Sequence, residues 1–407
     1  MALKNDAPQQ KAGANEKGVF ASFASNARQY GIVGALIVIV VIFEILTGGL
    51  LLQPNSVVQL VQQNAYVVIL AVGMVMVIIA THIDLSVGSL VGFIGGVVAL
   101  FMQNMHMNWF VAILAGLLVG VLVGVWQGFW VAYVGIPGFI TTLAGMLIFR
   151  GLATTILNAS IPVNNASFNA IASNYLPNLF GFWGPFDGLT IVIGILIIIA
   201  FAWSQFHARK KADKVGLDVE PIVTTYTKII IAAVVIAAIT LEFAASGDSN
   251  QGGIPIMLAI IGVLVFVYNF VLTRTVFGRH VYAVGGNRRA AMLSGINTRR
   301  VDFGLFVHMG ILSAIAAIAM LSRLSSASAS TGTGFELDTI AACFVGGTAV
   351  TGGIGTIPGV VIGATVIGVI NQGLSIMGVD SALIQTIKGL VLLLAVALDI
   401  FSKRKKS

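Results

Sequence analysis

Charged side chains are scarce in this sequence: 9% of its 407 residues are Asp, Glu, Lys or Arg, against about 25% in an ordinary soluble domain. With 57% hydrophobic residues and a mean hydropathy of +0.99, that scarcity excludes a water-soluble globular chain and leaves an integral membrane protein. Cysteine is nearly missing as well. The single thiol, Cys343, has no partner in the chain, which excludes a disulfide framework and a cysteine metal site; its apolar, Gly-rich setting reads as that of a buried thiol. No Gly-x-x-x-x-Gly-Lys-Ser/Thr loop occurs, so the chain lacks the backbone cradle that this motif offers to nucleotide phosphates. An intramembrane enzyme would need a nucleophile with its base, or a metal cluster, on facing helices, and the sequence offers neither. The first 29 residues are polar, carry Lys4, Lys11, Lys17 and Arg28, and lack the apolar core of a cleavable signal peptide, which makes the run at 31–52 an uncleaved anchor.

What the chain has in abundance is apolar runs. Windows close to the about 20 residues that a spanning helix needs fall near 31–52, 57–80, 85–103, 109–134, 138–157, 187–205, 229–245, 254–273, 303–322, 336–350, 357–377 and 382–401, the tenth being short and Gly-rich. They predict an all-α polytopic membrane protein with about 10–12 transmembrane helices. Of the 22 Lys and Arg residues, 19 lie in four stretches, 1–29, 209–228, 274–300 and 403–406. The positive-inside rule puts all four in the cytoplasm, with both termini. An even number of crossings must then separate each pair, which requires 336–350 to span despite its shortness. The net charge of +7 is accounted for by this topology, and no nucleic acid partner follows from it. The organisation expected is a cytoplasmic tail at 1–29, a transmembrane domain at 30–402 with a basic cytoplasmic loop at 274–300, and a basic tail at 403–407.

Polar residues inside the runs are the candidate functional positions, because an intramembrane charge costs roughly 2.5–3.5 kcal/mol even on the lenient insertion scale. Asp84 and Ser86, in "THIDLSVGS", are good N-cap residues before the run that starts near Leu85. They read either as a capped helix start or as a helix break beside a substrate path, since irregular backbone at membrane depth has to be buried in protein or line a cavity. Gln59, Gln62, Gln63 and Tyr66 recur at three- and four-residue spacing and form one polar stripe, for a pathway or a subunit contact. Trp126, Trp130 and Tyr133 share a face, as an interfacial aromatic belt or a surface for stacking on a sugar ring. Arg150 either snorkels or carries charge into a pathway. Met102, Met105, His106 and Met107 have donors that suit Cu(I), but nothing elsewhere completes such a site and no metal is assigned.

The segment "TRTVFGRHVYAVGGNRRAAMLSGINTRR", Thr273 to Arg300, reads as a small rigid peg. Gly285 and Gly286 make a turn, Asn287 caps, "RRAAML" with Ala290 and Ala291 forms a slim helix of about two turns, and Ser294 and Gly295 end it. A helix this short is unstable alone, so it is expected to be held by its flanking membrane helices and offered to a partner groove.

Four stretches, "IDLSVGS", "IPGFITTLAGMLIFRGLA", "GRHVYAVGGNRRAAMLSGI" and "ELDTIAACFVGGTAVTGGIG", in this order, closely resemble the permease subunits of bacterial ABC importers for monosaccharides of the ribose, arabinose, galactose and xylose group. The resemblance covers roughly residues 57–400. An extra helix pair and basic loop at about 187–250 resembles the longer xylose-type permeases. The chain departs from the usual pattern at His82, where many relatives have Gly or Glu, and at Gln127, where Asn commonly precedes Gly; both bear on the sugar and not on the family. The resemblance implies a multi-pass protein of the bacterial inner membrane that moves a monosaccharide, D-xylose first, into the cytoplasm. It also implies a homodimer of this chain in membrane lipid, an ATPase subunit with two nucleotide-binding domains, and a periplasmic sugar-binding protein. No cofactor is expected on this chain, since ATP and Mg belong to the ATPase, and the peg from Gly285 to Gly295 would dock in a cleft of that subunit. The competing class is an ion-coupled secondary sugar transporter working through intramembrane acids, for which Glu44, Glu242, Asp338, Asp380 and Asp399 are the candidates.

Overall fold

The structure, a computed structural model, describes residues 27–216, 219, 222–248 and 251–404; the N-terminal tail to residue 26 and the last three residues of the basic tail lie outside them. The elements are α1 (Ala27–Leu46), α2 (Pro54–Ile79), α3 (Val87–Gln103), α4 (Trp109–Phe129), α5 (Gly138–Ile156), α6 (Ala166–Ser173), α7 (Gly188–Lys214), α8 (Ile222–Ala244), α9 (Ile256–Arg274), α10 (Val276–Gly286), α11 (Arg288–Leu293), α12 (Thr298–Leu324), α13 (Phe335–Val345), α14 (Ile357–Ile376) and α15 (Ser381–Arg404). Extended chain among the described residues amounts to three two-residue pairings, of which Ile161–Pro162 with Ser326–Ala327 joins distant parts of the chain. Among the described residues, eight helices are long and apolar enough to cross a membrane, and three shorter apolar stretches, Gly31–Leu46, Val87–Gln103 and Ser381–Leu394, accompany them. The chain is an all-α polytopic membrane protein, as its hydropathy predicts.

Burial separates the spanning helices into two kinds. The apolar windows of α2 and α12 are 83% and 72% buried, whereas those of α7 and α8 are 11% buried. The first two therefore form the centre, packed on each other and on α3, α4, α9, α13 and α14, while α7 and α8 pair mainly with each other at the periphery. Lipid tails supply no hydrophobic drive between helices, so close packing has to hold them. On α4 that need is met by Gly116, Gly120, Gly124 and Gly128, at four-residue spacing. A Cβ on Gly124 would stand 2.6 Å from Phe306 O, and one on Gly120 2.7 Å from Ala314 Cβ. Gly120, Gly124 and Gly128 let the α4 and α12 backbones meet, while Gly116 faces Val98 and Ile94 of α3.

The tenth window departs from expectation. Instead of one helix over 336–350, α13 has 11 residues, about 16 Å long, roughly half of the ~30 Å hydrocarbon core. Before it, Gly332 and Gly334 take positive φ and the polar stretch Ser328–Gly334 runs as irregular chain. Its Gly332 abuts Gly88 at the start of α3. After α13, Gly353 N–H donates to Ile79 O at 2.9 Å, at the end of α2 beside the peg. The preceding Ser326–Ala327 pairs beyond the opposite end of α5. The chain thus passes from one end of the bundle to the other as irregular backbone followed by a half-length helix.

Candidate functional site

Asp84 lies in the break between α2 and α3. Thr81 turns the chain at φ 69°, and α3 starts at Val87, two residues later than the sequence suggests. Ser86 occupies the N-cap position but its hydroxyl does not cap; it donates to Asp84 Oδ1 at 2.6 Å, and the Ser86 N–H donates to the same oxygen at 2.8 Å. Gln127 Nε2, from α4, donates to Ser86 Oγ at 2.7 Å. From α5, Thr142 Oγ1 accepts from Leu85 N–H and donates to Ile83 O, both at 3.1 Å. Asp84, Ser86, Gln127 and Thr142 are all buried. Side chains from two neighbouring helices thus occupy the polar backbone of the break, which is the condition for irregular chain at membrane depth. Gln127, noted only as a departure from pattern, is one of these clamps.

The polar stripe is elsewhere. Gln59 is exposed and Gln63 half-buried on the far half of α2, and Gln59 stands about 30 Å up the helix from Ile79. The structure does not bring either to Asp84. Below them Tyr66 stacks on Phe335, ring centroids 3.5 Å apart, and its hydroxyl donates to Asp338 Oδ2 at 2.8 Å. Lys388 Nζ pairs with Asp338 Oδ1 at 2.7 Å, and Arg323 lies within electrostatic reach of Tyr66. Arg150 Nη1 donates to Ala329 O at 2.6 Å and Thr331 O at 3.0 Å, with Glu336 near enough to attract it. The three basic residues outside the four clustered stretches therefore all converge on the chain around the start of α13. Arg150 serves the carbonyls of irregular backbone, a use that neither snorkelling nor a free pathway charge describes.

In the peg, α10 runs through Gly285 and Gly286, so the turn expected there lies one residue later, at Asn287. The Asn287 side chain accepts from Ala290 N–H at 2.9 Å and so starts α11, while Gly295 closes it at φ +84°. Ala291 packs inward and Ala290 outward, and Leu293, 84% exposed, stands at the tip beside exposed Met292. The base of the peg is a junction of three backbones. A Cβ on Gly285 would fall on Ile79 O and 2.9 Å from Gly353 N, and Tyr282 Oη donates to Gly355 O at 2.6 Å. Burial raises the Tyr282 phenol above its ordinary pKa and keeps it a donor.

One buried acid was not visible as a site in the sequence. Asp302, the fifth residue of α12, accepts from His82 Nε2 at 3.1 Å and is held by both Nη atoms of Arg288. Trp126, in the last turn of α4, and Tyr133, just beyond it, are exposed, with Trp126 edge-on to Trp130.

The family described as branched-chain amino acid transport system / permease component matches residues 56–396. Among curated proteins, the chain is 38% identical to the xylose transport system permease protein of Escherichia coli strain K12, over 93% of each chain. It is 36% identical to that of Haemophilus influenzae, over 93% of this chain and 98% of the relative. The ribose import permease protein of Escherichia coli strain K12 is 33% identical, over 90% of this chain and 91% of the relative. No solved structure is a significant match. Nothing in these descriptions favours an ion-coupled carrier.

Proposed function

The chain belongs to the family of transport-system permease components, a multi-pass membrane subunit of an ABC-type sugar importer, and on that premise we propose that it carries D-xylose inward across the bacterial inner membrane. The observation that carries the sugar is the end-to-end match to xylose permeases at 36–38% identity, above the 33% to ribose permeases. In this reading a periplasmic binding protein delivers xylose, two copies of the chain enclose the route, and a separate ATPase subunit with two nucleotide-binding domains drives it. Gln59 and Gln63, polar and not fully buried on α2, line that route or the contact between copies. The peg of Gly285, Gly286, Asn287, Ala290, Ala291, Ser294 and Gly295 faces the ATPase, with Leu293 as the apolar tip that a groove would cover. ATP and Mg are held by the partner, and the helix pair at 187–250 is a subgroup addition facing lipid.

The test is reconstitution of the full importer in proteoliposomes. Radiolabelled xylose is expected to enter only with ATP, the binding protein and the ATPase together, and Ala290→Asp to cut uptake at least tenfold at normal protein levels, since a docked cleft would bury an unpaired charge. Uptake unaffected by Ala290→Asp would refute the peg assignment.

Sidedness is checked with single cysteines in a Cys343→Ser background. Cysteines at Ser173 and Ser381 are expected to react with an impermeant thiol reagent in intact cells, and one at Ser294 to be protected. Protection at 381 would mean that the chain from 325 to 345 does not cross.

A further inference from the structure

We propose that Asp302 is a positioning residue that ties the peg to the break before α3, so that displacement of the peg is felt at the break through one shared carboxylate. The proposal rests on the reading of α10–α11 as the ATPase-facing element. Its ground is a contact spanning three elements. Asp302, 1% exposed, accepts from His82 Nε2 at 3.1 Å on one side. On the other it is bracketed by Arg288, whose Nη1 lies 3.3 Å from Oδ1 and whose Nη2 bonds Oδ2. Arg288 opens α11, directly after the Asn287 cap, and is 40% exposed; His82 stands two residues before Asp84.

The two halves of the peg are fastened differently. The α10 half is wedged by backbone against Ile79 and Gly353. The α11 half, which bears Leu293, is held by the inward-facing Ala291 and by Arg288 on Asp302. A guanidinium gripping both carboxylate oxygens fixes direction as well as distance. Asp302 cannot exchange that partner for water, because it is buried near the start of a central helix. Drawing Arg288 away would leave an uncompensated buried charge, so Asp302 has to follow the peg or tighten on His82, and either response moves the chain leading to Asp84.

The measurement is xylose delivered per ATP hydrolysed, in the full importer with its binding protein and ATPase in proteoliposomes. Arg288→Gln and Asp302→Asn are each expected to lower that ratio about tenfold. The double variant should be no worse than either, because both remove the same link, and Arg288→Lys should recover part of the ratio. Independent, multiplying losses in the double variant would overturn the shared link. So would variants that lose protein from the membrane while the remainder keeps the wild-type ratio. If Asp302→Asn does not reach the membrane, Arg288→Gln against Arg288→Lys decides the matter at a half-exposed position. Absence of ATP-driven uptake by the wild type would overturn the importer reading and the link with it; wild-type uptake with unchanged ratios in the variants would overturn the link alone.

Discussion

Replacing Asp84 by Leu is expected to abolish xylose uptake, and replacing it by Asn to leave at least half of it. The carboxylate oxygen Oδ1 takes two hydrogen bonds, from Ser86 N–H and Ser86 Oγ, and an amide oxygen accepts both. Leucine removes the acceptor. The Ser86 N–H and hydroxyl, fully buried, are then left without it, at about 1–3 kcal/mol for each unpaired group, and Gln127 loses its oriented partner. An ion-coupled carrier that titrates Asp84 makes the opposite forecast, because Asn cannot exchange a proton. Uptake of labelled xylose by both variants in proteoliposomes with ATP clamped and an uncoupler present separates the two. If Asp84→Asn is dead while inserted and bound to the ATPase, the acid is more than a structural acceptor.

Gly285→Val should prevent the chain from accumulating as a folded membrane protein, whereas Gly286→Val should be tolerated. The two glycines are neighbours at the end of α10, yet a Cβ at 286 meets nothing within 4 Å, while one at 285 falls on the Ile79 carbonyl. That carbonyl already accepts from Gly353 N–H. No side-chain rotation relieves a clash between backbones, so α10 or the end of α2 has to move, breaking a buried hydrogen bond at about 1–3 kcal/mol and adding overpacking of about the same size. Thermal unfolding followed by size-exclusion fluorescence in detergent reads this directly. A Gly285→Val protein melting within a degree of wild type would contradict the three-backbone junction.

The spanning helices were legible because lipid demands long apolar runs and the chain contains almost nothing else. The break was legible too, since "THIDLS" puts polar residues where a helix would otherwise continue. Its partners were not: Gln127 and Thr142 lie 41 and 57 residues from Ser86 and Leu85, and no local pattern marks them as clamps. Asp302 reads as an ordinary surface acid because Arg299 and Arg300 precede it, while the groups that hold it come from residues 14 and 220 positions away. In the peg, the local propensity of Gly-Gly is for a turn. Tertiary packing overrides that, because the helix needs a residue without a side chain where it crosses Ile79. The glycines of α4 were the signal that could have been found, since four of them at a spacing of four mark a seam for a second helix.

The broken crossing through Ser328–Val345 also constrains how the protein is made. An 11-residue helix preceded by serines, threonines and glycines has too little apolar length to enter lipid by itself as it leaves the ribosome. Its bare carbonyls at Ala329 and Thr331 are answered by Arg150, and its Gly332 abuts Gly88, both on helices synthesised much earlier. This stretch is therefore expected to take up its place only once α3 and α5 are in the bilayer to receive it. Topology here is completed by assembly, late in biogenesis, and not by the hydrophobicity of the segment that crosses.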